Sequence, residues 1–173
     1  AAEELTNLLG FNIPQRWSIA HLYQAVLNNE AHISQIAHIT TLAGYINYLL
    51  TGERAVGIGE ASGIFPVEGS GYNKRFIELT QKRLKEHGFT ANLEEVLPPV
   101  KLAGEEGAKL TEEGAKFLDP TGVFKAGVPL CPPEGDAGTG MAASNAVKEK
   151  TGNVSAGTSI FSMLVLESNP KGV

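Results

Sequence analysis

The stretch of residues 128–166 reads VPLCPPEGDAGTGMAASNAVKEKTGNVSAGTSIFSMLVL, and the fold expected for the rest of the chain follows from it. It opens with a short apolar run at 128–131 that is bounded by prolines and is typical of a strand. One carboxylate, that of Asp136, then stands directly before a segment of helix-forming residues at 137–150. The first half of the stretch therefore predicts a strand followed by a helix with an aspartate at its start.

The second half of the stretch predicts a two-stranded hairpin. A Gly-Asn turn leads into the sequence Val-Ser-Ala-Gly-Thr-Ser at 154–159, and an almost unbroken apolar run follows at 160–166. This pattern is typical of two short strands whose tip consists of Gly157, Thr158 and Ser159. Such a tip offers bare backbone N–H groups and hydroxyls in a tight turn, and both suit the oxygens of a phosphate.

Asp136 and the hairpin tip together indicate one class of reaction. The N-terminal N–H groups and the dipole of a helix stabilise an aspartate anion, so we expect Asp136 to be a rigidly held proton acceptor. A proton acceptor and a phosphate cradle close in sequence favour phosphoryl transfer to an alcohol. Each feature also has a purely structural interpretation, because aspartate caps helices whatever its function and a Gly-Thr pair is common in ordinary turns.

The order of these elements resembles the FGGY carbohydrate kinase family, which includes the glycerol, xylulose, gluconate and rhamnulose kinases. In that family a Gly-Asp pair leads into a helix of small residues, and a Gly-Thr-Ser hairpin then opens the second domain. The matching pieces here are Gly135-Asp136, 137–145 and 157–159. Further matches include Leu-Thr-Gly-Glu at 50–53 and the glycine-rich run before residue 128, so the resemblance covers about residues 13–166.

The resemblance implies an α/β fold, namely a helix-rich part of an actin-like, ribonuclease H-like ATPase. It implies that Asp136 is the general base and that the hairpin tip contacts the transferred phosphate of ATP, with Mg²⁺ as the second cofactor. It places no metal ligand among the residues of this chain. The sugar would be contacted by Arg16, Trp17, Asp136 and Phe161. Many relatives have Gln or Asn after the aspartate where this chain has Ala137, so the sugar that is phosphorylated stays open.

The resemblance also implies a domain organisation. Residues 1–150 would form the later part of the first, sugar-binding domain, and residues 151–173 would form the opening hairpin of the second, ATP-binding domain. Members of the family begin with an Asp-x-Gly-Thr hairpin and end with a glycine-rich adenosine loop, and no Asp-x-Gly-Thr occurs near the start of this sequence. We therefore expect an internal piece of a kinase that is inactive alone, and a homodimer is one expectation for its unpaired strand edges.

Composition restricts the other function classes. With 173 residues, of which 42% are hydrophobic, the chain can bury one globular core. A net charge of −5 without a basic face argues against nucleic acid or an anionic membrane as a partner. The apolar runs are too short to cross a bilayer, and Glu3 and Glu4 are not typical of a secretion signal. A single cysteine, Cys131, fits a reducing, cytoplasmic setting, where we expect it to be a buried structural thiol.

Hydrophobic periodicity predicts the remaining elements. Helices are expected at 2–9, 18–27, 41–51, 73–87 and 111–118, and a short strand is expected at 108–110. Ser18 is the expected cap of the second helix, and the apolar residues of the third recur at helical spacing. The histidines at 21, 32 and 38 do not share one helix face, so we predict no metal site there.

Two other functions are consistent with parts of the sequence. The first is a sensor or regulator of actin-like fold that binds a nucleotide or sugar without transferring phosphate. The second is a Rossmann-type oxidoreductase that uses Gly135, Gly138 and Gly140. These glycines follow the order G-x-x-G-x-G, whereas a dinucleotide-binding loop requires G-x-G-x-x-G, so the oxidoreductase is disfavoured.

Overall fold

The computed structural model describes residues 2–168 and shows a mixed helix and strand architecture. Its helices and strands are, in chain order, α1 (Ala2–Leu9), α2 (Ser18–Leu27), a short 3₁₀ helix (Ile33–Gln35), α3 (Leu42–Thr51), β1 (Val56–Gly57), α4 (Ile58–Ile64), β2 (Val67–Glu68), β3 (Gly71–Tyr72), α5 (Lys74–Glu86), α6 (Leu93–Val96), β4 (Val100–Lys101), α7 (Glu112–Leu118), α8 (Asp136–Ala143), β5 (Gly152–Ala156) and β6 (Ile160–Leu164). No helix within residues 2–168 is long and apolar enough to cross a membrane.

The chain forms two compact units. The larger unit is Ile13–Pro133, and the smaller unit contains the described residues up to Asn12 together with those from Glu134 onward. The smaller unit thus contains both Asp136 and the complete hairpin. The domain boundary expected at residue 150 stays a prediction.

The core of the larger unit surrounds a short parallel strand pair. Strand β1 pairs with β4, with Val56 opposite Val100. The largest fully buried side chains come from α2, α4, α5, α6 and the segments next to them, and they are Phe65, Phe76, Phe89, Ile64, Leu84, Leu93, Val26 and Val56. The ring of Phe65 meets the rings of Tyr72 and Phe76 edge-on, at centroid distances of 6.0 and 6.3 Å. The parallel pair therefore lies within an apolar, partly aromatic core.

Side-chain caps fix the starts of three predicted helices. The backbone N–H groups of Gly44, Phe76 and Gly114 each donate to the side chain three residues earlier, at 3.0 Å. These caps confirm the helices expected at 41–51, 73–87 and 111–118. The cap expected at Ser18 is wrong, because the N-cap of α2 is Trp17 and no side chain bonds there. Ser18 is instead the first helical residue.

Helix α3 buries its small and polar face. Gly44, Asn47 and Leu50 are buried, whereas Leu42 is 78% exposed and four further hydrophobic residues of the helix, Tyr45, Ile46, Tyr48 and Leu49, are also exposed. The buried side follows from the contact with α7, where the carbonyl of Leu50 accepts the Thr111 N–H at 3.0 Å and its hydroxyl at 3.1 Å. Because a Cβ at residue 114 would overlap the Leu50 carbonyl, Gly114 is what permits this approach.

The strand expected at 128–131 is not formed, and neither is the one at 108–110. The two segments run side by side, but the regular pairing is limited to one antiparallel bridge between Lys109 and Pro129. On either side of the bridge, the Leu110 N–H donates to the Val128 carbonyl at 2.8 Å and the Leu130 N–H donates to the Ala108 carbonyl at 2.9 Å. Leu130 packs against the buried Leu50 cluster, so the adjacent Cys131 points the other way and is exposed. The prediction of a buried thiol is therefore wrong.

A hydrogen-bonded turn follows α7. The Asp119 carboxylate accepts from the Thr121 hydroxyl at 2.5 Å, from the Thr121 N–H at 2.9 Å and from the Phe124 N–H at 2.8 Å. These bonds, with that from the Thr121 side chain the largest contribution, lower the pKa of Asp119 from 3.8 to about 2. The turn is thus stabilised by a carboxylate in its ionised form.

The Asp119 turn should make stability depend on pH in the acid range. Because the pKa is lower in the folded chain, the stabilisation is complete above the unfolded value of 3.8 and is lost as the pH falls toward about 2. Urea unfolding between pH 4.5 and pH 2.5 should therefore show a shallower pH dependence for Asp119→Asn than for the wild type. Equal pH slopes for the two proteins would contradict this assignment.

Candidate active site

Asp136 lies at the start of helix α8. Gly135 is the N-cap, with extended backbone angles, so Asp136 is the first residue of the helix. Its side chain is exposed, and it makes no ion pair or hydrogen bond with any other residue between 2 and 168. The predicted aspartate at a helix start is confirmed, and its carboxylate is free to meet a ligand.

Helix α8 is shorter than the predicted segment 137–150. It ends at Ala143, and Asn145 then turns to a positive φ of 55°. The Gly140 carbonyl accepts both the Ser144 N–H at 3.0 Å and the Ser144 hydroxyl at 2.8 Å. At the other end, the Thr139 hydroxyl donates to the Gly135 carbonyl at 3.0 Å and holds the first turn closed.

The predicted hairpin is confirmed. Strands β5 and β6 pair antiparallel from Gly152 opposite Leu164 to Ala156 opposite Ile160, which leaves residues 157–159 as the tip. The tip differs from expectation at Gly157, whose N–H donates to the Ser159 carbonyl at 3.0 Å and is therefore not bare. The N–H groups and hydroxyls of Thr158 and Ser159 make no bond within the described part of the chain, and both residues are exposed.

Helix α8 packs against strand β5, so the aspartate and the hairpin are connected within the smaller unit. The contact includes the Asn153 amide, which donates to the Ser144 hydroxyl at 2.9 Å and to the Gly140 carbonyl at 3.5 Å. Sequence reasoning missed Asn153. Its only sequence signal is a polar residue at the start of an otherwise small and apolar strand.

The other three predicted sugar contacts, besides Asp136, have different surroundings. Phe161 is half-buried on β6, opposite Ser155, and belongs to the same unit as Asp136. Arg16 is exposed and Trp17 is half-buried at the start of α2, and both belong to the larger unit. Their role as sugar contacts stays a prediction.

A groove of about 600 Å³ in the larger unit was not expected from the sequence. Its wall includes Tyr45, Tyr48 and Arg54, and the Arg54 guanidinium lies 5.8 Å from the centre of the Tyr48 ring and contacts the His38 ring. None of the predicted site residues lines this groove.

The residues of the smaller unit fit a phosphate better than they fit a metal ion. The free N–H groups and hydroxyls at 158–159 are donors that phosphate oxygens accept. No group of three His, Cys, Asp or Glu side chains among the described residues could hold a metal.

Comparison with known proteins supports the fold. No protein-family model matches the sequence, and no curated protein matches it. Among solved structures, a xyloylose (xylulose) kinase from Brucella ovis matches with a TM-score of 0.70 at 18% identity, over 90% of this chain and 30% of that chain. Glycerol kinase from Plasmodium falciparum with ADP matches with a TM-score of 0.60 at 14% identity, over 93% of this chain and 33% of that chain. The chain therefore has the fold of part of the FGGY-type sugar kinases and spans about a third of their length.

Proposed function

We propose that this chain is part of an ATP-dependent kinase that transfers the γ-phosphate of ATP to a hydroxyl of a sugar, ketose or polyol. The observation that carries the proposal is an exposed aspartate at a helix start, in the same compact unit as an exposed Gly-Thr-Ser hairpin tip. The similarity of the fold to two sugar kinases supports it. The actin-like fold and the domain boundary at residue 150 belong to this proposal, as do a cytoplasmic location and a homodimer.

In the proposed mechanism, Asp136 is the general base. A sugar hydroxyl beside its carboxylate loses its proton to Asp136 as the oxygen attacks the γ-phosphorus in line, and the bond from the γ-phosphorus to the β,γ-bridging oxygen breaks so that ADP leaves. The exposed position of Asp136, without a competing partner among the described residues, leaves its carboxylate oxygens available for this proton.

The hairpin tip would hold the phosphate. The N–H groups and hydroxyls of Thr158 and Ser159 are the donors that face no partner in residues 2–168, so we assign the γ-phosphate oxygens to them. Gly157 contributes space rather than a donor, since no atom outside the tip lies near its Cα and its own N–H is already bonded. Mg²⁺, when bound together with ATP, would neutralise negative charge on the phosphates.

The side chains proposed to contact the sugar combine apolar faces with hydrogen-bond donors. We assign Phe161 to the apolar side of the sugar, Trp17 to stacking on its ring, and Arg16 to a forked hydrogen bond with its hydroxyls. The sugar itself is not specified by these residues.

Phosphorylation assays with ATP and a panel of pentuloses, hexuloses, gluconate and glycerol test the proposal. We expect no transfer by the 173-residue chain alone, because the chain spans about a third of the kinases it resembles. A longer polypeptide that also supplies the remaining kinase elements should phosphorylate one member of the panel. Transfer by the short chain would contradict the first expectation. Binding of ATP and sugar by the long form without transfer would favour the sensor.

A further inference from the structure

Helix α8 has little apolar packing to hold it in place. None of its residues is buried, and its sequence, Asp-Ala-Gly-Thr-Gly-Met-Ala-Ala, consists mainly of small side chains. Burial of large apolar side chains is what usually fixes a helix against a sheet. The position of α8 relative to the hairpin must therefore depend more than usual on polar contacts.

The polar contact is a network of three groups. The Asn153 amide nitrogen on β5 donates to the Ser144 hydroxyl at 2.9 Å and reaches the Gly140 carbonyl at 3.5 Å. The Ser144 hydroxyl donates its own proton to the same carbonyl, at 2.8 Å. The directions of these hydrogen bonds agree with the chemistry of the groups. The amide nitrogen has two N–H donors, and a hydroxyl can both donate and accept.

Glycines lie on both sides of this contact. An ideal Cβ at Gly140 would lie 4.0 Å from the Asn153 side-chain oxygen, an ordinary van der Waals distance, so the contact itself does not require glycine there. At the base of the hairpin, a Cβ at Gly152 would lie only 2.7 Å from the Met163 carbonyl oxygen. Glycine at this position therefore permits β5 and β6 to pair closely. Because β5 is paired with β6, the contact of Asn153 with α8 attaches the whole hairpin to the helix and not only strand β5.

We propose that Asn153 is a positioning residue that fixes the Gly157–Ser159 tip relative to the helix that begins with Asp136. Asn153 precedes the tip by four residues, which corresponds to roughly 13 Å of strand. Because paired strands connect Asn153 to the tip, a change in the orientation of the hairpin at Asn153 would also move the tip. The attachment follows from the structure alone, whereas the consequence for phosphoryl transfer depends on the proposed function.

Hydrogen exchange of the present chain tests the attachment. Asn153→Ala should accelerate exchange of the β5 and β6 amides roughly fivefold to tenfold, which is the range expected for one or two lost hydrogen bonds. Amides of α5, in the larger unit, should not change. Asn7→Ala, at an exposed position of α1, is the matched control and should leave the hairpin unchanged. Unchanged hairpin exchange in Asn153→Ala would overturn the proposal.

A second variant removes the acceptor instead of the donor. Ser144→Ala should reproduce most of the acceleration, and the double variant should be little worse than Asn153→Ala alone, because both changes break the same contact. Fully additive effects would overturn the network. Ser144 is exposed and lies just after the last residue of α8. Ser144→Ala can therefore test the contact even if Asn153→Ala does not fold.

The positioning role is tested in the longer kinase. Asn153→Ala should lower kcat about 10- to 100-fold while KM for the sugar stays within about twofold, because misplacement of reacting groups affects the transition state more than sugar binding. Accelerated hairpin exchange with an unchanged kcat would overturn this role. A wild-type long form without kinase activity would overturn the proposed function, and the exchange result would still decide the attachment.

Discussion

Asp136→Asn in the longer kinase should lower kcat by about 10²- to 10⁴-fold, the range that general base catalysis supplies. Asparagine keeps the size of the side chain but has no anionic oxygen to take up the proton of the sugar hydroxyl. The donors assigned to ATP are at the hairpin tip, so the affinity for ATP should stay within about threefold of wild type. Steady-state kinetics with the preferred sugar, together with calorimetric titration of ATP, measure both quantities.

Glu149→Gln is the matched control for this experiment. Glu149 is an exposed carboxylate in the same unit, and its neutralisation should leave kcat near the wild-type value. If Asp136→Asn kept most of its kcat, Asp136 would not be the base. If both variants lost activity equally, the effect would come from net charge and not from proton transfer.

Phe65→Ala should destabilise the larger unit by about 3–5 kcal/mol, the cost typical of removing a fully buried phenylalanine. The Phe65 side chain is completely buried and makes edge-on contacts with Tyr72 and Phe76. Its removal leaves a cavity between α4, β3 and α5 that their backbones cannot readily fill. Urea unfolding followed by circular dichroism measures the loss.

Phe117→Ala tests whether this cost comes from burial. Phe117 is 65% exposed on α7, so the same change of residue should cost less than about 1 kcal/mol. Similar losses in the two variants would contradict the position of the core. A loss confined to Phe65→Ala would place the core around the β1–β4 pair, as described.

The sequence predicted elements that depend on neighbouring residues. Helix α5 begins at the Asn73 cap, buries the apolar side of its 3.6-residue period and is followed by Gly88, which has a φ of 90°. The hairpin also depends on local pattern, namely a short tip between two runs that pair residue by residue. In both cases the residues that specify the element lie within it.

Elements that depend on distant partners were not predictable. The segment at 128–131 has the composition of a strand, but its partner at 108–110 pairs with it at only one bridge, and Cys131 is exposed as a result. The buried side of α3 is decided by Gly114, more than sixty residues away, which brings α7 against the Leu50 carbonyl. Periodicity within α3 contains no information about that contact.

The sequence predicted which residues form the candidate site, but not the hydrogen bonds that connect them. Asp136 at a helix start and a tip at 157–159 both follow from the sequence pattern. The bonded N–H of Gly157 depends on the conformation of the tip, and the contact of Asn153 depends on where α8 ends. Helix α8 ends where Asn145 adopts a positive φ of 55°, earlier than the run of helix-forming residues predicts.

A crystal structure of the longer protein with a non-hydrolysable ATP analogue and the preferred sugar is the most direct test. The proposed function predicts an Asp136 carboxylate oxygen within about 3 Å of the reacting sugar hydroxyl, the reach of a general base. It also predicts γ-phosphate oxygens on the N–H groups or hydroxyls of Thr158 and Ser159. A sugar bound away from Asp136, or a γ-phosphate that does not contact the hairpin tip, would contradict it.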